Sequence, residues 1–197
     1  MQKNLHPFYG QPMLRLVLPE SGAFDPKSLR RGRSYCIVID SAEQRERLLE
    51  QFSALESSAL VAHDGGLIGN LSIWENLFLP IGYHSLQIVG GPREKAVELL
   101  VKCGIENGEK MDNLLRRLPD ELSLFEKRLS GFVRAMLMEP ELMIYDTIFE
   151  GLTREDARNA AEFNRLFHLY FPFRTSILLS FDECGETALL AANAAAW

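Results

Sequence analysis

The strongest constraint on the fold lies in residues 121–146, ELSLFEKRLSGFVRAMLMEPELMIYD. The stretch ends in ELMIYD, a short apolar run that suits a strand buried on both faces and finishing on a carboxylate. It begins with ELSLFEKRL, where Ser123 takes the cap position and Glu126 the third helical position of a capping box. A helix beginning after Leu122 and running to about Leu137 therefore feeds directly into a strand at 141–146. The same pairing recurs along the chain. SYCIVID (34–40) reads as a buried strand, and SAEQRERLLEQFSAL (41–55) as a helix with Ser41 as N-cap and Leu48, Leu49 and Phe52 on one face. SALVAH (58–63) and TSILLS (175–180) read as further strands. TREDARNAAEFNRLFHLYF (153–171) reads as a helix capped by Thr153, with Asp156 at the capping-box position. MLRLVLP (13–19) alternates weakly and suits an edge strand.

Strands that alternate with helices imply a mostly parallel sheet flanked by helices. Between about 72 and 137 the helices arrive with no strand among them. Ser72 caps a short helix at 73–80 after the glycine-rich turn DGGLIGN (64–70). GGPREKAVELLVKCGI (90–105) is amphipathic, with Pro92 near its first turn, and a further short helix falls around 110–117. The expected architecture is one domain over 1–197, with a core of about 13–66 and 138–197 and a helical subdomain of about 72–137. An alanine-rich helix is expected at 184–196.

Composition narrows the function. The net charge of −6 lacks the excess of basic residues that nucleic-acid binding requires. The opening MQKNLHPFYGQPM has no apolar signal core, and no run of 18 apolar residues suggests a membrane span, so no direct membrane insertion is expected. Cys36, Cys103 and Cys184 are scattered and odd in number, which reads as reduced thiols. No dedicated metal site is expected from the four dispersed histidines.

The order and spacing of these segments resemble an ABC-transporter ATPase subunit over roughly residues 30–182. The likeness is strongest at LPDELSLFEKRLSGFVRAMLMEPELMIYDTIFEGLT (118–153), and DGGLIGNLSIWENLFLPIGYH (64–84) is similar to the segment after that family's Q-loop. The resemblance is closest in flavour to the ATPases of Mce-type lipid-transport systems. It implies a P-loop-NTPase-like fold, and it also marks where each phosphate-handling group should stand. Arg45 falls at the P-loop Lys position and Glu46 at the Ser/Thr position, and no glycine lies between Ile39 and Arg47 to let backbone amides cradle phosphate. Asp146 matches the Mg²⁺-coordinating Asp, whereas Thr147 replaces the Glu that activates water and cannot take its proton near neutral pH. Ser123 matches the signature Ser, but Leu124, Phe125 and Glu126 replace the glycines and Gln that follow it. His63 takes the Q-loop Gln place, Thr153 the D-loop Asp place, and Phe181 the switch-His place, where it reads as a core aromatic. Phe8 and Tyr9 are the candidates for stacking on adenine.

The resemblance thus implies a degenerate ATPase with no catalytic residues and no cofactor. ATP and Mg²⁺ enter only under an alternative in which Arg45, Ser123 and Asp146 still hold them weakly. The implied partners are an ABC permease subunit and an active ATPase subunit, with Trp74 and Tyr83 as candidate interface aromatics. The implied location is cytoplasmic, at the periphery of the inner membrane. A second alternative is a soluble interaction module that keeps only the fold.

Overall fold

A computed structural model describes residues 5–8, 11–18, 24–84 and 91–182. Its elements run β1 (Leu5–Phe8), β2 (Gln11–Arg15), β3 (Ser34–Val38), α1 (Ala42–Ser53), β4 (Ser58–Val61), α2 (Ile73–His84), α3 (Pro92–Lys102), α4 (Glu109–Arg116), α5 (Leu124–Leu137), β5 (Leu142–Asp146), α6 (Arg154–Tyr170) and β6 (Thr175–Ser180). The sheet order is β1-β2-β3-β6-β5-β4. Among the described residues β1 and β2 pair antiparallel, and the other pairings are parallel. This is the α/β architecture with inserted helices that the alternation predicts.

Period-two patterning sets the two faces of the sheet. Val61, Tyr145, Leu178 and Cys36 form one cross-strand row. They face α5 and α6 and share one core with Ile73 and Leu77 of α2, Leu99 and Leu100 of α3, and Met111 and Leu114 of α4. Tyr35, Ile37, Ile144, Ile177 and Leu179 cover the opposite face with Leu48 and Phe52 of α1. The parallel strands therefore end together, and their carboxyl ends place Asp146 opposite Leu179.

The caps behave as their chemistry requires. The Ser41 side chain accepts the amide of Gln44, and Thr153 Oγ1 accepts that of Asp156. Glu75 closes on Ser72, whose backbone and hydroxyl both donate to its carboxylate. Two expectations need correction. The segment at 13–19 is not an edge strand: β2 lies inside β1, whose LHPF carries no alternation and whose Pro7 is tolerated because it sits at the edge. The helix expected at 73–80 continues to His84 through Pro80, its buried face held by Ile73 and Leu77 against the core. A third correction concerns the thiols. Cys36 is disulfide-bonded. Cys103 is free, and burial pushes its thiol up to about 12, which leaves it protonated and unreactive. The helix expected at 184–196 and the candidate stacking residue Tyr9 lie outside the described residues; Phe8 ends the edge strand.

Candidate functional site

The carboxyl ends of β3, β4 and β5 bring three of the expected positions into contact. Asp146 is fully buried. Arg45, in the first turns of α1, forks onto it: Nε donates to Oδ1 at 2.6 Å and Nη2 to Oδ2 at 2.5 Å. The same Nη2 lies 2.8 Å from His63 Nδ1, so that nitrogen accepts and the imidazole proton sits on Nε2. The His63 backbone amide also approaches Oδ2, at 3.4 Å. Bonding to the Asp146 carboxylate raises the Arg45 pKa beyond its ordinary value, and Asp146, Glu150 and Glu46 add to the field that holds its charge. A planar guanidinium matches a carboxylate with two parallel bonds, which lysine cannot do. The cation expected at the P-loop Lys position is thus paired with the carboxylate expected at the Mg²⁺ position.

The backbone around this pair leaves little room for phosphate. Only residues 39–41 lie between the end of β3 and the start of α1. None is glycine, and Ser41 uses its side chain to cap the helix. A phosphate nest needs successive amides turned inward, which this short connection does not provide. Glu46 is exposed and points no hydroxyl at the site. Thr147 is buried with φ +45, a left-handed conformation that a β-branched residue adopts under strain. Its amide bonds the Leu179 carbonyl, and its hydroxyl lies 3.5 Å from Asp146 Oδ1.

The signature segment is also turned inward. Ser123 and Glu126 form the capping box foreseen from the sequence, with Ser123 N–H donating to Glu126 at 2.7 Å and Glu126 N–H to Ser123 Oγ at 3.2 Å. Arg117 pairs with the same carboxylate at 3.0 Å. Leu124 packs toward Gly151, and Phe125 stacks on Phe163, which stacks in turn on Phe132 with centroids 4.5 Å apart. Phe125 thus packs against the chain's own core, and Leu124 lies half-buried beside Gly151. Thr153 caps α6. Phe181 is corrected: it is 40% exposed, not a core aromatic, because it lies beyond the end of β6 at Ser180.

One residue of the site escaped the sequence reading. Arg128 is buried in α5 and donates to the carbonyls of His63 (2.6 Å), Ile148 (2.9 Å) and Glu150 (2.7 Å). Its signal was an arginine on the helix face that also carries Phe132, a place where only a fully bonded charge survives. Trp74 is half-buried on α2, against Phe78 (4.3 Å) and under the Arg93 guanidinium (5.1 Å), beside a hollow of about 450 Å³ also lined by Arg116. Tyr83 lies on the same helix; its side chain is outside the described residues. Among the described residues, no three His, Cys, Asp or Glu side chains group as metal ligands.

A parallel sheet with this strand order, helices inserted after β4, and a carboxylate ending β5 is the fold of an ABC-transporter ATP-binding cassette. Solved structures bear this out. The chain superposes on the dimeric structure of MJ0796, a bacterial ABC transporter cassette, with TM-score 0.62 at 15% identity, covering 83% of this chain and 79% of that one. It superposes on cbiO1 of Clostridium perfringens, part of the ABC transporter complex cbiONQ, with TM-score 0.61 at 16% identity, covering 78% and 69%. In sequence it is similar to the probable ribonucleotide transport ATP-binding protein mkl of Mycobacterium tuberculosis, 23% identical over 117 residues, or 59% of this chain and 31% of the relative. The Mycobacterium leprae protein of the same description is 26% identical over the same length, 32% of its own chain. The match thus spans about a third of these relatives. No family model matches the chain. By sequence and fold together, the chain is related to ABC-transporter ATP-binding domains.

Proposed function

We propose that this chain is a catalytically degenerate ABC-ATPase-like subunit, with a structural or regulatory role in a bacterial ABC transport system. The observation that carries the reading is the ion pair of Arg45 with Asp146, which engages both carboxylate oxygens that a magnesium ion would need. The absence of glycine between β3 and α1 and the stacking of Phe125 on Phe163 support it. Its partners on this reading are a permease subunit, met through the helices that carry Trp74, and an active ATPase subunit. Its place is the cytoplasmic face of the inner membrane, held there by partners; no described helix is long and apolar enough to cross a membrane. A lipid cargo is the part of the proposal that rests on the Mce-type resemblance of the sequence alone. The weak-ATPase alternative has to break a bonded, buried pair before Mg²⁺ enters.

The test is the melting temperature with and without millimolar Mg²⁺–ATP. Saturation at about 100 times a dissociation constant adds roughly 2.7 kcal/mol and raises the midpoint by several degrees. No shift is expected. A clear rise that disappears in Asp146→Asn would replace this reading with the weak-ATPase one.

A further inference from the structure

The helices α2 to α4 and the sheet meet through α5, and the contact between them is unusually specific. Beyond the ends of β4 and β5 the chain leaves the sheet, so its buried carbonyls need new donors. Arg128 supplies them to two different loops at once, bonding His63 after β4 and Ile148 and Glu150 after β5. Two turns of α5 further on lies Arg134, whose guanidinium reaches the Gly65 carbonyl at 3.4 Å. Beside the two arginines the backbones touch: a Cβ on Gly131 would stand 2.5 Å from the Gly65 carbonyl oxygen, and one on Gly65 would strike the Lys127 carbonyl. On its other side α5 packs against α2 and α3 in the same continuous core.

We propose that Arg128 is a latch that fixes the helical unit α2–α4 in one relation to the sheet. The loops it grips are the ones that carry His63 and follow Asp146, and α5 shares one core with α2–α4, so a swing that carries α5 with the helical unit has to pull a buried guanidinium off three carbonyls. A partner bound at the Trp74 face then meets a constant shape. This goes beyond the functional reading, because the latch holds with no nucleotide present.

The experiment is a pulsed electron-spin distance measurement in nucleotide-free protein, with labels on Glu50→Cys in α1 and Glu106→Cys after α3; the Glu106 side chain is 72% exposed. One narrow distance is expected in the otherwise wild-type chain, and a broadened or split distribution in Arg128→Met. A broad or two-peaked distribution before Arg128 is touched overturns the latch. So does a narrow distribution that survives Arg128→Met. If circular dichroism shows Arg128→Met unfolded, Arg128→Lys takes its place. That variant keeps the charge but not the fork, and it must broaden the distance for the proposal to stand. Mg²⁺–ATP is left out, so failure here is separate from failure of the pseudo-ATPase reading.

Discussion

Arg45 and Asp146 decide the chemistry of the site one bond at a time. A buried carboxylate without a partner is costly, while a bidentate guanidinium satisfies both of its oxygens. Removing Arg45 should therefore hurt more than removing both partners. Arg45→Ala is expected to lower unfolding free energy by about 3–5 kcal/mol, as a broken buried pair does. Arg45→Ala with Asp146→Asn should recover a substantial part of that loss. Urea unfolding of the two single variants and the double closes the cycle. A loss in the double variant equal to the sum of the two single losses would mean that the pair contributes nothing.

At the scale of elements, α6 is joined to the sheet by a buried polar cluster as well as by apolar packing. Ser34 Oγ and Ser176 Oγ lie 2.9 and 3.0 Å from His168 Nε2 and 3.1 Å from each other. Asn164 donates to Ser34 at 3.0 Å. With Ser34 already accepting from Asn164 and Ser176, its own proton goes to His168 Nε2, which requires a neutral imidazole. Burial lowers the His168 pKa, in agreement with that arrangement. The folded pKa lies below the unfolded one, so this group's contribution is complete above an unfolded value of about 6.5. It is lost as pH falls from there through the depressed folded pKa. The urea midpoint of the wild type is expected to decline over this window, before most carboxylates titrate. His168→Gln should start lower and show a flatter dependence. A wild-type slope no steeper than that of His168→Gln would remove this role from His168.

On one face of the sheet a continuous core runs through α5 into α2, α3 and α4, while a second core lies under α1 on the other. Close approach of the turn at Gly65 to α5 at Gly131 brings the helical layer onto the sheet. Alanine normally stabilises a helix interior over glycine by about 1 kcal/mol. Here the sign should reverse, because the added methyl meets backbone and not a movable side chain. Gly131→Ala is expected to lower stability by about 1–3 kcal/mol, the range for overpacking, read as a drop in melting temperature. A rise would mean that the two backbones can part at little cost.

The sequence by itself determined the element types, their order and most of their caps. Ser41, Ser123 and Thr153 act on amides within three residues, and the apolar periods of 2 and 3.6 are written locally. The resemblance also named the positions where phosphate-handling residues are expected, because that is a matter of residue identity along the chain. Only the tertiary structure decided what the replacements do. Arg45 and Asp146 are 101 residues apart, and they meet because β3 and β5 flank β6 in a parallel sheet with all carboxyl ends on one side. The grip of Arg128 on two loops, the place of β2 inside β1 and the exposure of Phe181 depend likewise on which strands neighbour which. Local pattern acts over about one turn of helix or one pleat of strand. Contacts across the sheet depend on strand order, which no single segment encodes.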